Sequence, residues 1–274
     1  MTSYKCISLP VEGYIFDIDG TLTDKQGNVP HVIEDEFALM IARGKRIFLN
    51  TARSLKEVDT LMHNMSSKLG LSNTELKFMA FTSGGAEGYY LVNKTIRNAY
   101  SIVSDDFLRF TESLESVLSH GNAKIHYTNV PKKPTQANEV FIHFRGSAVT
   151  LYFFNFNEMK LFEQRVNLEY NLNLIGNEKG DMHVMSSGVS KLTAIDYLKT
   201  KLPDLKMVYI ADAFWKDTEL NIRGHDLDVY GAVPCINVGR RPAFYPDIIN
   251  ISSSGDNLKE PFERTLLALK LNEN

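Results

Sequence analysis

Two cysteines in 274 residues, Cys6 and Cys235, are too few and too far apart for a disulfide framework or a CxxC pair. That scarcity points to a reducing, cytoplasmic setting. Positive charge is not in surplus either. The net charge is −3, and the basic clusters Lys132-Lys133 and Arg240-Arg241 are too short to make a nucleic-acid-binding face. No run approaches the roughly 18 apolar residues of a membrane span. The first chemical motif begins within about a dozen residues of the start, which leaves no room before it for a signal peptide. GxxxxGK[ST], HExxH and Gly-x-Ser-x-Gly are all missing, which sets aside P-loop, zincin and nucleophile-elbow chemistry. There is one tryptophan, Trp215, and no internal repeat. What remains is ordinary globular composition, 43% hydrophobic and 23% charged. The length suits one large domain or a core with a second domain inserted.

Against that plain background one segment stands out. Tyr14-Ile15-Phe16 is an apolar strand that runs into Asp17-Ile18-Asp19-Gly20-Thr21. Two carboxylates one residue apart at a strand's end concentrate negative charge that calls for a cation. The carboxyl end of a strand is where open α/β sheets place their ligands. One carboxylate there can attack an electrophile while the pair holds a hard divalent metal.

The flanking sequence alternates between strand and helix. Ile33, Phe37, Met40 and Ile41 recur at helical spacing within residues 31–43, and Gly44 ends that helix. Arg46 to Asn50 predicts a second strand, and Ser54-Leu55-Lys56-Glu57 is a capping box opening a helix to about Leu69. Leu76 to Phe81 predicts a third strand ending in Thr82-Ser83-Gly84-Gly85. Between Ala86 and Ser187 the rhythm changes. Helical stretches at 104–119 and 157–169 are mixed with strands at Glu139 to Arg145, Ala148 to Phe154, Leu172 to Ile175 and Met182 to Met185, the middle pair joined by a Gly146-Ser147 turn. The alternation returns after Gly188: a helix from Ser190, a strand Met207 to Ala211, a helix near 215–223, a strand at about 232–238 and a last helix over 258–271. The expected fold is therefore α/β, a doubly wound, Rossmann-like parallel-sheet core of residues 1–85 and 188–274 with an inserted α+β cap at 86–187.

Phe16-Asp17-Ile18-Asp19-Gly20-Thr21-Leu22 resembles the first motif of the haloacid dehalogenase-like (HAD) superfamily, and the cap's position resembles the large-cap, Cof-like and sugar-phosphate phosphatase branch. The resemblance implies that Asp17 is a nucleophile forming an aspartyl-phosphate and Asp19 the general acid and base. Thr51, after the second strand, resembles the second motif; it is also placed to make a simple turn at a strand end. Thr51-Ala52-Arg53 stands where that branch often has Thr-Gly-Arg, with Arg53 as a phosphate contact or a surface ion pair. Lys191 resembles the third motif and would neutralise phosphoryl charge. Asp212 and Asp217 resemble the fourth, with Ala211 in place of its usual glycine; Asp217 can equally begin a helix as its cap. The resemblance thus implies phosphate binding by Thr51, Ala52, Arg53 and Lys191, and Mg2+ held by Asp17, Asp19, Asp212 and Asp217. His143 and Arg145 are taken as ordinary sheet-surface residues of the cap, and Tyr152, Phe153, Phe154 and Phe156 as its core. The implied activity is Mg2+-dependent hydrolysis of a small phosphorylated metabolite, a sugar phosphate by analogy, with no nucleic-acid or membrane partner. The alternatives are a phosphomutase or phosphotransferase on the same scaffold, or a non-catalytic protein that keeps the fold.

Overall fold

In a strand buried on both faces, successive side chains enter different cores. Here Tyr14 and Phe16 pack into one core while Ile15 packs into another. In the same way Ile47 and Leu49 oppose Phe48. A computed structural model describes residues 10–69, 76–92, 95–119, 123–220, 222–251 and 260–273. Cys6 and the expected helix start at 258–259 lie outside the described residues.

The chain begins with β1 (Gly13–Phe16), α1 (His31–Ala42), β2 (Arg46–Asn50), α2 (Leu55–Leu69) and β3 (Phe78–Thr82). It continues through β4 (Glu87–Val92), β5 (Thr95–Ser101), α3 (Asp105–Ser119), β6 (Lys124–Tyr127), β7 (Glu139–Phe144), β8 (Ala148–Phe153), α4 (Phe156–Glu169), β9 (Leu172–Gly176) and β10 (Asp181–Ser186). It closes with α5 (Lys191–Lys201), β11 (Met207–Ala211), β12 (Lys216–Asp217), β13 (Ile222–Arg223), β14 (Cys235–Asn237), β15 (Ile249–Asn250) and α6 (Pro261–Glu273). No helix among the described residues is long and apolar enough to cross a membrane.

The large sheet has eight strands in the order β15-β14-β11-β1-β2-β3-β4-β5, parallel from β15 through β3. One face is covered by α1, α2 and α6, the other by α5. The small sheet has five strands in the order β6-β7-β8-β10-β9, and α3 and α4 close one of its faces. The α/β core with an α+β cap is thus as the sequence predicts.

Two expectations need correction. A cap beginning at Ala86 starts too early, because β4 and β5 form an antiparallel hairpin on β3 and extend the large sheet. Tyr89 and Tyr90 pack toward opposite faces of that sheet, as an extension of it requires. Nor do residues 215–223 form a helix. Lys216 and Asp217 pair with Ile222 and Arg223 in a two-stranded hairpin, and the Asp217 carboxylate accepts from the backbone N–H groups of Glu219 and Leu220 at 3.1 and 3.0 Å. That carboxylate stabilises a turn instead of starting a helix.

Candidate active site

Strand register brings the predicted acids together. Phe16 lies beside Leu49 on one side and Ile210 on the other, so Asp17, Thr51 and Asp212 all leave the sheet at the same edge. The chain runs outward from β1 in one direction through β2 and β3, and in the other through β11 and β14. This is the switch point at which open sheets leave a crevice. Gly20 turns away from that edge at φ +74°, and a Cβ there would collide with the Asp212 carboxylate. Close approach and backbone conformation both favour glycine at that position.

Lys191 opens α5 directly after Ser190, whose hydroxyl accepts from the Leu192 N–H at 3.2 Å. Asn50 donates to the Lys191 carbonyl at 2.8 Å and ties the end of β2 to this turn. The Lys191 Nζ lies 2.8 Å from Asp17 and 2.7 Å from Asp226, all three side chains being buried. Asp226 is held from every side, accepting also from the Tyr209 hydroxyl at 2.9 Å and the Ala213 N–H at 3.0 Å. Burial alone would lower the Lys191 pKa, but Asp17 and Asp226 outweigh it and hold the ammonium charged. Burial raises Asp17 to about 7, against Lys191 and with help from Asp226 and Asp19. Burial and the neighbouring Asp17 also push Asp212 well up.

Carboxylate oxygens of Asp17, Asp212 and Asp226 lie within 4.8 Å of one another. Three acids against one lysine leave negative charge uncompensated, and hard oxygen donors at this spacing suit a divalent cation such as Mg2+. Asp226 already spends its oxygens on Lys191, Tyr209 and Ala213. Asp17 and Asp212 are therefore the residues fitted to face a metal, with Asp226 fixing their surroundings.

A cavity of about 460 Å³ opens over this edge. Asp17, Asp19, Ala52, Lys191, Asp212 and His225 line it from the large sheet's side. Arg145, Thr150, Tyr152, Asp181 and His183 line it from the small sheet. The His183 and His225 rings meet edge to face at 4.9 Å across the boundary. Burial lowers both pKa values, His225 to about 4 and His183 well below the ordinary histidine range, so both rings are neutral near pH 7.

The sequence profile of the haloacid dehalogenase-like hydrolases matches residues 14–209, more than half of the chain. The chain belongs to the haloacid dehalogenase-like hydrolases. A search of curated protein sequences finds no match. Among solved structures, this HAD-like hydrolase is similar in fold to a HAD/COF-like hydrolase from Plasmodium vivax. That structure has a TM-score of 0.65 at 14% identity, over 97% of this chain and 96% of that one. A haloacid dehalogenase-like hydrolase from Bacteroides thetaiotaomicron gives 0.62 at 13% identity, over 96% and 99% of the two chains. An N-terminally truncated IMP-nucleotidase from Plasmodium falciparum gives 0.59 at 15%, over 96% of this chain and 70% of that one.

Of the residues expected at the site of this HAD-like hydrolase, Asp17, Asp19, Ala52, Lys191 and Asp212 reach the cavity. Thr51, expected to bind phosphate, is fully buried, and its hydroxyl accepts from the Arg53 N–H at 3.1 Å in the alternative arrangement, a turn at the strand end. Arg53 grips Asp19 through a fork, Nε at 3.1 Å and Nη2 at 2.6 Å, and Nη2 also reaches the Gly27 carbonyl at 2.8 Å. Asp217 stays in its hairpin, and Asp226 joins Asp17 and Asp212 instead. Asp226 was missed because it follows no strand directly; it sits in a 3-10 turn at His225–Val229.

The cap residues were missed for a different reason, although a signal existed. Val140 and Ile142 of β7, Val149 and Leu151 of β8, and Met182 and Val184 of β10 fill the cap core. By alternation, His143, Arg145, Thr150, Tyr152, Asp181 and His183 share the opposite face. His143 and Arg145 are thus buried beside the cavity, not on an ordinary sheet surface. Tyr152 lines the cavity, and Phe154 is 44% exposed, so neither belongs to the cap core; Phe153 does.

Proposed function

We propose that this hydrolase cleaves a small phosphomonoester, a sugar phosphate, with Mg2+ and through an aspartyl-phosphate on Asp17. The observation that carries this reading is the buried Asp17 carboxylate at the end of β1, 2.8 Å from the Lys191 ammonium and open to the cavity. Asp17 and Asp212 would hold Mg2+, which supplies charge neutralisation at the phosphoryl oxygens. An Asp17 oxygen attacks phosphorus, forming the acyl phosphate bond as the ester P–O bond breaks. Asp19, once released from the Arg53 fork that engages both its oxygens, gives a proton to the departing oxygen. It then takes one from the water that attacks phosphorus, releasing inorganic phosphate and restoring Asp17. Lys191 offsets charge on the phosphoryl oxygens throughout, and the Ala52 N–H of the 51–53 turn supplies a further donor. The small sheet covers the site, excludes bulk water and selects the leaving group. A reducing, cytoplasmic setting suits the free, buried Cys235.

Free phosphate release from p-nitrophenyl phosphate, sugar phosphates and nucleoside monophosphates tests this, with Mg2+ or EDTA and with Asp17→Asn as control. Metal-dependent release that disappears in the variant is expected. Phosphoryl transfer only to an added acceptor, without free phosphate, would replace hydrolysis by a transferase reaction. Activity surviving in Asp17→Asn would overturn the mechanism.

A further inference from the structure

Arg145 is 5% exposed, yet it lines the catalytic cavity from the end of β7. Its Nε donates to His143 Nδ1 at 3.3 Å, one terminal nitrogen to the Ala52 carbonyl at 3.3 Å, and the other to the Tyr152 hydroxyl at 3.2 Å. A guanidinium carries five N–H donors; three are used, which leaves two. It also forms an ion pair with Glu57 at 3.6 Å, beyond hydrogen-bond distance, while the other Glu57 oxygen accepts from the Ser54 N–H and hydroxyl. The cap acid at the cavity, Asp181, is paired with Lys133. The exposed Lys179 adds positive charge to the same wall.

The position of Arg145 is set firmly. Its carbonyl accepts from the Ser83 hydroxyl, and the next turn is clamped by Glu87. One Glu87 oxygen accepts from the Ser147 N–H at 3.1 Å and hydroxyl at 2.8 Å, the other from the Thr82 hydroxyl at 3.1 Å. Gly146, at φ +68°, has room for no Cβ, which would sit 2.7 Å from that carboxylate. The Ser83 N–H in turn donates to the Arg53 carbonyl at 2.8 Å and that of Gly84 to Thr51 at 3.0 Å. The cap cation is thereby fixed to the 51–53 turn.

Resting on the phosphomonoester reading, we propose that Arg145 binds a second oxyanion of the substrate, a carboxylate or a second phosphate on the leaving group. The core side of the cavity carries excess acid suited to a metal and the scissile phosphoryl group. The cap side carries a buried, preorganised fork with spare donors, the geometry that carboxylate and phosphate oxygens match. Glu87 acts as a positioning residue for it.

The test compares kcat/KM for glucose 6-phosphate, 6-phosphogluconate and glucose 1,6-bisphosphate, with p-nitrophenyl phosphate as reference. The wild type should favour at least one of the two anionic-tailed substrates by about tenfold, mainly in KM. The two arms distinguish a carboxylate from a second phosphate. Arg145→Gln should shrink that preference to less than about threefold, with Arg145→Lys and Glu87→Gln in between. A ratio taken within one preparation does not depend on the fraction folded. Equal rates for all three sugars, or an Arg145→Gln loss equal across them, would overturn the proposal while p-nitrophenyl phosphate turnover upholds the phosphatase. Absence of release even from p-nitrophenyl phosphate would sink the underlying reading and this proposal with it.

Discussion

The two sheets meet the cavity in different ways. The large sheet offers the ends of its strands, β1, β2 and β11, in register at one edge. The small sheet offers a face, with alternate residues of β7, β8 and β10 directed away from the core beneath α3 and α4. A strand end places chemistry in consecutive residues and leaves backbone groups free to bind a ligand. A sheet face spreads its polar groups over three strands and leaves each flanked by core residues. On the proposed function, bond making falls to the first sheet and choice of substrate to the second.

The largest effect should come from Asp17→Asn, which removes the proposed nucleophile: a loss of at least about 10³-fold in kcat, measured by phosphate release with the fold checked by circular dichroism. Asp226→Asn should come next. It removes one of two buried counter-charges of Lys191, so stability should fall on the order of 3 kcal/mol, read from denaturant unfolding, and kcat with it. A smaller change on the cap face is expected from Tyr152→Phe, which frees one Arg145 donor; KM should move by roughly threefold with kcat little changed, the cost of one hydrogen bond. Asp217→Asn should alter activity least, by under about twofold, since the side chain serves only its hairpin. An Asp217 effect as large as that of Asp226 would break the assignment of the third acid.

The boundary between the sheets makes a further prediction in pH. His183 and His225 are held neutral by burial, with pKa values below that of an unfolded histidine. Between about pH 6.5 and 4 the unfolded chain binds protons that the folded chain refuses, so their contribution is fully present above that window and is lost as pH falls through it. For the half-buried His225 this amounts to about 1–3 kcal/mol. Asp17 and Asp212, whose pKa values burial raises, act in the opposite sense, so the histidine share is read by difference: from pH 7 to 5 the Tm of the wild type should fall relative to that of His225→Asn.

The same contrast explains what could be read in the sequence. Asp17, Lys191 and Asp212 were legible because each sits where a local pattern ends: an apolar strand, a serine cap, another apolar strand. The β2 and α2 boundaries followed from five consecutive strand residues and a capping box. Asp217 misled because its spacing from Asp212 is the same whether residues 215–223 form a helix or a hairpin; only pairing of Lys216 with Arg223 decides. Asp226 gained its role from Tyr209 and Lys191, which are distant in sequence. The start of the cap was misplaced because β4 and β5 have the hairpin pattern of the small sheet but join the large one. Arg145 and His183 did carry a signal in the period-two alternation of their strands; which face would meet the active site depended on helices elsewhere in the chain.

The most direct test of Asp17 as nucleophile is a rapid quench of Asp19→Asn mixed with p-nitrophenyl phosphate and Mg2+, followed by the mass of the peptide carrying Asp17. That leaving group needs little protonation, so Asp17 should still be phosphorylated while the water step, now without its base, slows. A burst of p-nitrophenol equal to the enzyme, with one phosphoryl group on Asp17, is the predicted result. Turnover without a burst and with Asp17 unmodified, or a phosphoryl group on another residue, would contradict it.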